Sequence, residues 1–522
     1  MVPAFPRFRP DFILIAILLA GPRPAVGAAE PAIQALRGAF VINEDNSHFF
    51  GTRPAEAMNL AGLHAFIDQY AGTKVTHLFF SPNSMRASFR SRTRDAIWDP
   101  VDGKEPTGAW PHHARRLHEA GIDPYAVWIA RSRERNISPW LSMRMNDVHN
   151  VSEPGNYMHS SFWRAHPELR RLPGGPTQPW TNHALNYAHA AVRTHQMDFV
   201  RELLERYAPD GLELDWMRFS RHLTPGRERE EAHILTNFMR EVRALTREWS
   251  ARRGRPILLG VRAPAHPDAA AGLGLDAVAW AREGLVDLIV PTPFWSSSDF
   301  DIPVELWRKQ LGDATARTVL LPGLEHNARA WIGGVTVPTD LASAYGFAAT
   351  ALHRGADGIY LFNWMDSQTR PVGAEDYARL LRTGFTPAAL ATEPRRHPVT
   401  FRDTVPEGFP SGTQLPIRLP GKGTIRLNLG PGPDAGTAEV VIGLAAGAEA
   451  AAGKLRVALN GRILEASGQV ADRRPLGGTA LALRFSCPPG TARPGENTLE
   501  LSTPPDVPAG EVVWTEIRVT PR

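Results

Sequence analysis

The sequence predicts an α/β fold: a closed barrel of eight β/α units, followed by an all-β module. Three observations predict it. Between about residues 37 and 384, short apolar runs alternate with amphipathic stretches of helical period, the pattern of a parallel α/β fold. Eight such units fit in roughly 350 residues, which suits a TIM (β/α)8 barrel with enlarged loops. After about residue 387 the composition turns to Gly, Pro, Thr and Val, and period-two runs bounded by turn residues replace the helical period. The 522 residues exceed one ordinary domain. The expected division is a leader over 1–29, a barrel over 30–390 and a jelly-roll-like β-sandwich over 398–522.

Taken in order, strand one is expected at 38–43, followed by a helix over 55–71. Strand two at 75–81 leads into a long insertion carrying Trp98 and Trp110, then a helix over 111–120. A helix beginning near Pro124 precedes strand three at 139–146, whose following loop is long and polar and carries His149, His159, Trp163 and Trp180. The apolar period of 192–207 predicts a helix leading into strand four at 210–215, and 229–252 predicts the helix after it. Strands five to eight are expected at 257–262, 288–293, 319–324 and 358–362, with a last helix over 375–381. In the C-terminal part, 424–429, 455–460 and 499–502 alternate as half-buried strands do.

The first residues have the form of a secretory signal: Arg7 and Arg9, an apolar run over 12–20, then small residues around Val26, Gly27 and Ala28. Cleavage is expected near Ala28 or Ala29, which predicts an exported protein. Cys487 is the only cysteine, so no intramolecular disulfide can form, and a large exported protein without disulfides suits a bacterial periplasm or secreted space. No later segment offers about 20 uninterrupted apolar residues, so no stable membrane anchor is expected. The net charge is +4 with acidic and basic residues interspersed, a balance that does not point to nucleic acid. The 14 tryptophans point instead to sugar rings, which stack on aromatic faces.

Strand four is the most informative segment. Side chains alternate along a strand, so Glu213 and Asp215 share one face while Leu212 and Leu214 take the other. In a closed parallel barrel the first face is the interior, and active sites form at the C-terminal ends of the strands. The other strand ends add amides, carboxylates and aromatics. Strand one ends in Asn43, Glu44 and Asp45, strand two in Ser81 and Asn83, and strand three in Arg144, Asn146, Asp147 and His149. Strand four continues to Arg218, strand five ends in Arg262, and strand six in Thr292, Phe294 and Trp295. Strand seven ends in Glu325 and His326, and strand eight in Asn363, Trp364 and Asp366. Convergent polar groups beside aromatic faces describe a carbohydrate pocket. The candidate substrate-binding set is Asn43, Asn83, Arg144, Asn146, Asp147, Arg218, Arg262, Trp295, His326, Asn363 and Trp364, with at least one of Trp295 and Trp364 stacking on a sugar. The three arginines could hold carboxylates in their charged state or bind an acidic substrate.

Glycosidic cleavage needs two carboxyl groups, one to protonate the leaving oxygen and one to attack or activate water. Asp215 and Glu325 supply such a pair across a barrel mouth, with Glu213 as the main rival for either role. The run from Asp210 to Phe219, Asp-Gly-Leu-Glu-Leu-Asp-Trp-Met-Arg-Phe, resembles the strand-four signature of bacterial family 10 glycosylhydrolase-like proteins, and Trp140 to Asp147 resembles their strand-three segment. The likeness covers roughly residues 38 to 385. It implies a TIM-barrel glycosidase with Asp215 as a functional residue. Related clan A barrels carry an acid/base after strand four and a nucleophile after strand seven, which Asp215 and Glu325 match by position. Those enzymes usually have an Asn-Glu pair where this chain has Leu-Asp-Trp, and other barrel glycosidases use a strand-four Asp as nucleophile, so the reverse assignment stays open.

Two alternatives compete with a glycoside hydrolase. A metal-dependent barrel hydrolase would need a His-x-His after strand one, which is missing, and His112 and His113 fall at a helix start outside the mouth. No metal and no cofactor are therefore expected. The other alternative is an exported glycan-binding protein without activity, since binding and hydrolysis use the same aromatic and amide groups.

Overall fold

The computed structural model describes residues 26–172, 179–294, 297–367, 372–432 and 436–521. Its first sheet is wholly parallel and contains nine strands: β1 Phe40–Glu44, β2 His77–Phe80, β3 Ser138–Arg144, β4 Gly211–Asp215, β5 Leu258–Pro264, β6 Leu288–Thr292, β7 Val319–Leu320, β8 Gly323–Leu324 and β11 Ile359–Phe362. A short antiparallel hairpin, β9 Asn327–Ala328 with β10 Val337–Pro338, lies between β8 and β11. The strand order is β7-β6-β5-β4-β3-β2-β1-β11-β8. These strands are buried almost throughout, as expected of a parallel sheet covered on both faces, and helices fill the connections.

The two end strands of this order, β7 and β8, are separated in sequence only by Leu321 and Pro322. The single strand expected at 319–324 is therefore broken, and the reason is proline. Pro322 has no N–H to give a ladder, so its neighbours divide their bonds. Leu321 N–H donates to the carbonyl of Ile289 on β6, whereas the Pro322 carbonyl accepts from Tyr360 N–H on β11. The helix expected at 55–71 is likewise shorter, a 3-10 turn at Ala55–Ala57 and then a helix at Leu60–Asp68, and a helix at His48–Thr52 was not foreseen. The leader expected over 1–29 falls largely outside the described residues. Helix Val26–Leu36 brings Ala32, Ile33 and Leu36 against the sheet.

One face of the sheet packs as a cluster of its own: Val41, Phe79, Trp140, Leu258, Leu288, Val290, Val319, Leu321, Tyr360 and Phe362. Phe79 stacks on Trp140 at 4.6 Å, and Tyr360 meets Phe79 edge-on at 5.5 Å. Gly211 and Gly260 are the reason Trp140 fits. A Cβ on Gly211 would collide with the indole ring, and one on Gly260 would crowd both Trp140 and Leu288.

The C-terminal part is antiparallel throughout: β12 Arg395–Pro398, β13 Ile417–Leu419, β14 Lys422–Asn428, β15 Thr437–Leu444, β16 Arg456–Leu459, β17 Arg462–Gln469, β18 Leu481–Cys487, β19 Glu496–Ser502 and β20 Gly510–Thr520. The order is β12-β20-β15-β18-β17-β16-β19-β14, with β13 also on β20. β17 turns the sheet on itself, because residues 462–464 pair with β16 while residues 465–469 pair with β18. The result is one nearly closed antiparallel sheet rather than two separate layers.

This sheet packs closely on helix Leu341–His353. Gly346 lies against the carbonyl of Arg396, and Gly430, at φ +68°, against that of Ala349, with no room for a side chain at either. Arg396 pairs with fully buried Glu516 at 2.6 Å and with Asp340, the N-cap residue of the same helix, at 2.5 Å. Substituting Gly346→Ala should therefore force the helix off β12 and cost about 1–3 kcal/mol, the usual scale of overpacking. Urea unfolding of the full chain checks this, and an unchanged midpoint would show that the contact yields freely.

Candidate functional site

The C-terminal ends of the parallel strands open into a cavity of about 780 Å³. Much of its polar lining comes from the strand ends, Asp45 after β1, Arg144 at the end of β3, Arg218 after β4, His326 after β8 and Asn363 after β11, and His149, Asn150, Ser152 and His183 add groups from the long segment after β3. Trp110, Tyr157, Trp180, Phe219 and Phe294 supply the aromatic lining. Trp180 is 44% exposed and is backed by Phe294 in a stacked pair at 5.5 Å and by Phe219 edge-on at 5.2 Å. A half-exposed indole braced from behind is a ready platform for a flat apolar face of a ligand.

Charged groups organise the floor. Asp45 accepts from the guanidinium of Arg144 and from Ser47 N–H at 2.9 Å and Oγ at 2.8 Å. The other side of Arg144 donates to Asp147 at 3.1 Å, and Asp147 also accepts from His149 N–H at 3.0 Å and ring nitrogen at 2.8 Å. Burial alone would raise both carboxyls. Arg144 and Arg218 around Asp45, and His149 and Arg144 around Asp147, instead hold both well below the usual carboxylate range.

Beneath this layer lie the carboxylates expected to do chemistry. Asp215 accepts from Arg262 at 2.8 Å and from Met217 N–H at 3.0 Å. The guanidinium of Arg262 stacks on Phe362, 3.6 Å from the ring centroid. Glu325 accepts from His326 N–H at 3.0 Å and from the His326 ring at 2.8 Å on one oxygen, and from Asn363 at 3.3 Å on the other. Its carboxylate is thus held from the cavity side by two side chains that line the cavity. Asn363 takes a left-handed backbone, φ +58°, which asparagine tolerates better than most residues. Glu213 sits deeper, accepting from Ser142 at 2.6 Å and Tyr360 at 2.9 Å. Burial, and then the Asp215 carboxylate two residues on, push its pKa up.

The sequence-predicted residues therefore divide. Arg144, Arg218, His326 and Asn363 line the cavity. Asp215 and Glu325 lie just below it, 1% and 0% exposed, and Glu213 is 0% exposed. Six of the residues expected to bind substrate lie outside that lining. The amide of Asn83 bonds the backbone of Arg144 in both directions, at 3.1 and 3.2 Å, and so pins the end of β3. Asn146 bonds the backbone of Leu185 in both directions, at 3.0 and 2.9 Å. Trp364 is fully buried, its indole N–H donating to the Glu325 carbonyl at 3.2 Å, so it supports the strand end and presents no face to a ligand. Asn43, which donates to Tyr360 at 2.7 Å, and Asp147 and Arg262 are also buried outside the cavity lining. Trp295 lies outside the described residues. Among the residues not chosen from sequence, Asp45, Phe219 and Phe294 carried a signal, since each closely follows a strand. Trp110, Tyr157 and Trp180 come from insertions whose course no local pattern reveals.

Behind β1 a second network fixes the floor. Glu44 accepts from the His48 ring at 2.6 Å and from Tyr70, and His48 reaches Asp366 at 2.9 Å, which also pairs with Arg53 at 2.5 Å. Burial would lower the imidazole, but the Glu44 carboxylate and the bonds to Asp366 outweigh it and push its pKa up to about 9. Among the described residues no group of three or more His, Cys, Asp or Glu is placed to hold a metal ion, and no helix is long and apolar enough to cross a membrane.

No family model matches the sequence, and no curated protein matches it. Solved structures do. A cycloisomaltooligosaccharide glucanotransferase from Paenibacillus sp. is 12% identical over 93% of this chain and 57% of its own, with a TM-score of 0.35. A family 20 β-N-acetylglucosaminidase is 13% identical over 68% of this chain and 73% of its own, TM-score 0.38. α-L-Fucosidase isoenzyme 2 from Paenibacillus thiaminolyticus is 13% identical over 69% of this chain and 51% of its own, TM-score 0.41. This chain spans little more than half the length of the glucanotransferase and of that fucosidase. These neighbours act on carbohydrates by name, but at such TM-scores the function has to be read from the site itself.

The charge on His48 gives a pH dependence of known sign. A group whose folded pKa is raised from about 6.5 to about 9 contributes stability that is full below pH 6.5 and is lost as the pH rises through 9. Wild-type protein should lose stability across that window relative to His48→Gln in urea titrations at stepped pH. Parallel profiles for the two proteins would contradict a protonated His48.

Proposed function

We propose that this chain is an exported glycoside hydrolase, similar to the family 10 glycosylhydrolase-like proteins, whose parallel strands form a (β/α)8 barrel closed through the broken seventh strand, β7 with β8. The observation that carries the reading is the cavity at the C-terminal strand ends, with an aromatic wall facing hydrogen-bonding side chains and two buried carboxylates directly below. Sugar rings offer one apolar face and a rim of hydroxyls. Trp180, braced by Phe294, suits the face, while His326, Asn363 and Asp45 suit the rim.

Cleavage needs two carboxyl groups with different tasks. Arg262 and Met217 N–H both donate to Asp215, which suits the carboxylate that attacks the sugar or activates water. Glu325 is then the proton donor to the leaving oxygen: His326 holds its Oε2, and Oε1, reached by Asn363 at 3.3 Å, is the oxygen that would carry the proton once that amide turns aside. This reverses the clan A order. A ring seated on the floor would turn aside the His326 and Asn363 side chains to reach Glu325.

A second reading is glycan binding without hydrolysis. It is favoured by one observation: among the described residues that line the cavity Asp45 is the sole carboxylate, and it is held by two arginines. Turnover and binding separate the two readings when measured on one preparation. Against a panel of polysaccharides and aryl glycosides, Glu325→Gln and Asp215→Asn should each lower turnover by about 1000-fold or more while glycan binding persists. Glu325→Gln is the cleaner variant, because Asp215→Asn also breaks a buried ion pair. Near-normal turnover in both would overturn the assignment, and wild-type binding without any cleavage would establish the second reading.

A further inference from the structure

The side chain of Arg218 is not accounted for by the site as described. It lines the cavity yet is 7% exposed, and its Nε is buried with no hydrogen-bond partner among the described residues. Among the described residues its one ion pair is long, 3.9 Å to Asp45. What fixes it is aromatic contact: the guanidinium lies 5.2 Å from the ring centroid of Phe362 and 5.8 Å from that of Phe219. Arg144 contrasts with it, since its guanidinium is bound to Asp45 on one side and Asp147 on the other. An arginine held by its flat face keeps its donor edge available, and a buried guanidinium with unmet donors is costly unless a ligand completes it. Burial and the neighbouring Arg144 also press against its charge, which an arriving anion would relieve.

We infer that Arg218 receives an anionic substituent of the bound glycan, a carboxylate or a sulfate ester, so that the preferred ligand is an acidic rather than a neutral saccharide. The inference rests on the proposal that the cavity binds carbohydrate, and it holds whether or not the sugar is cleaved. Arg144 stands beside Arg218 but is neutralised by Asp45 and Asp147, so of the two arginines among the described lining residues Arg218 is the one left for the ligand. The guanidinium fork matches two oxygens of either a carboxylate or a sulfate. Trp180 and Phe294 line the same cavity and would receive the ring that bears the group.

Calorimetric binding to the full chain tests this with three probes of similar length: an oligogalacturonate, a sulfated galactan oligomer and a neutral galactan oligomer. Wild-type protein should bind at least one anionic probe about tenfold or more tightly than the neutral one, and whichever anion wins identifies the substituent. Arg218→Gln should bring the ratio of anionic to neutral affinity close to one, with Arg218→Lys between the two. Thermal unfolding checks that each variant is folded. If Arg218→Gln does not fold, the wild-type ratio and the Arg218→Lys ratio still decide. Equal wild-type affinity for all three probes, no binding of any, or an unchanged ratio in the variants would each overturn the inference. Because binding is read and not turnover, a protein that prefers anions but cleaves nothing would retain this inference while the hydrolase reading fails, and one that cleaves neutral glycans without preference would do the reverse.

Discussion

Arg262 is the constraint on which the site depends. It is fully buried on β5, paired with Asp215 of β4 at 2.8 Å and stacked on Phe362 of β11 at 3.6 Å. An arginine out of water is tolerated only with a partner for its charge and a surface for its face, and here two other strands, β4 and β11, supply them. Removing one partner of a buried pair typically costs about 3–5 kcal/mol, because the other charge is left uncompensated. The same Phe362 ring carries Arg218 at 5.2 Å, so one aromatic side chain aligns the cation that anchors Asp215 and the cation that faces the cavity. Glu213, two residues before Asp215 on the same face, is pushed toward its neutral form by burial and by that charge.

Polarity is layered along the strands. At their N-terminal side the shared face is apolar, with Phe79 stacked on Trp140 and space made by Gly211 and Gly260. Next come Glu213, Tyr360, Ser142 and Asn43, bonded to one another. Above them lie Asp215 with Arg262 and Glu325 with Asn363, and finally Asp45, Arg144 and Arg218 at the cavity. Bonds within each polar layer hold the carboxylates in place, although Glu213 Oε2, Arg262 Nε and Nη2 and Arg218 Nε are buried without a partner among the described residues. The backbone beneath is fixed by amides that spend both ends on main chain, Asn83 on Arg144 and Asn146 on Leu185.

Much of this was legible in the sequence, and the limits have physical causes. Hydrophobic periodicity located β1 to β6, the run broken into β7 and β8, and β11, because a parallel strand buried on both faces is an apolar run whatever packs on it; the short antiparallel β9 and β10 gave no such run. The break at Pro322 was visible as a residue, but the run of valine and leucine around it outweighed it in a pattern reading. The alternation of β4 placed Glu213 and Asp215 on one face, where they are. Sequence position could not say how far below the floor they lie, because that depends on Arg218, His326 and Asn363 closing over them. Asn83 and Asn146 show the general difficulty. A strand-end asparagine has the same letter whether its amide faces a ligand or its own backbone. Trp180 and Tyr157 reach the cavity from long insertions, and tertiary packing alone places them. Of the C-terminal strands β14, β16 and β19 were legible as period-two runs, whereas the turn of β17 from one neighbour to another leaves no mark in composition.

The central claim is that the cavity at the strand ends holds a saccharide over Asp215 and Glu325. A crystal structure of Glu325→Gln with a bound oligosaccharide tests it most directly. The account predicts a sugar ring against Trp180 with a glycosidic oxygen within hydrogen-bond reach of residue 325 and the Asp215 carboxylate on the opposite side of the anomeric carbon. An oligosaccharide seated elsewhere on the protein, or one in the cavity with both side chains still sealed beneath Arg218, His326 and Asn363, would contradict it.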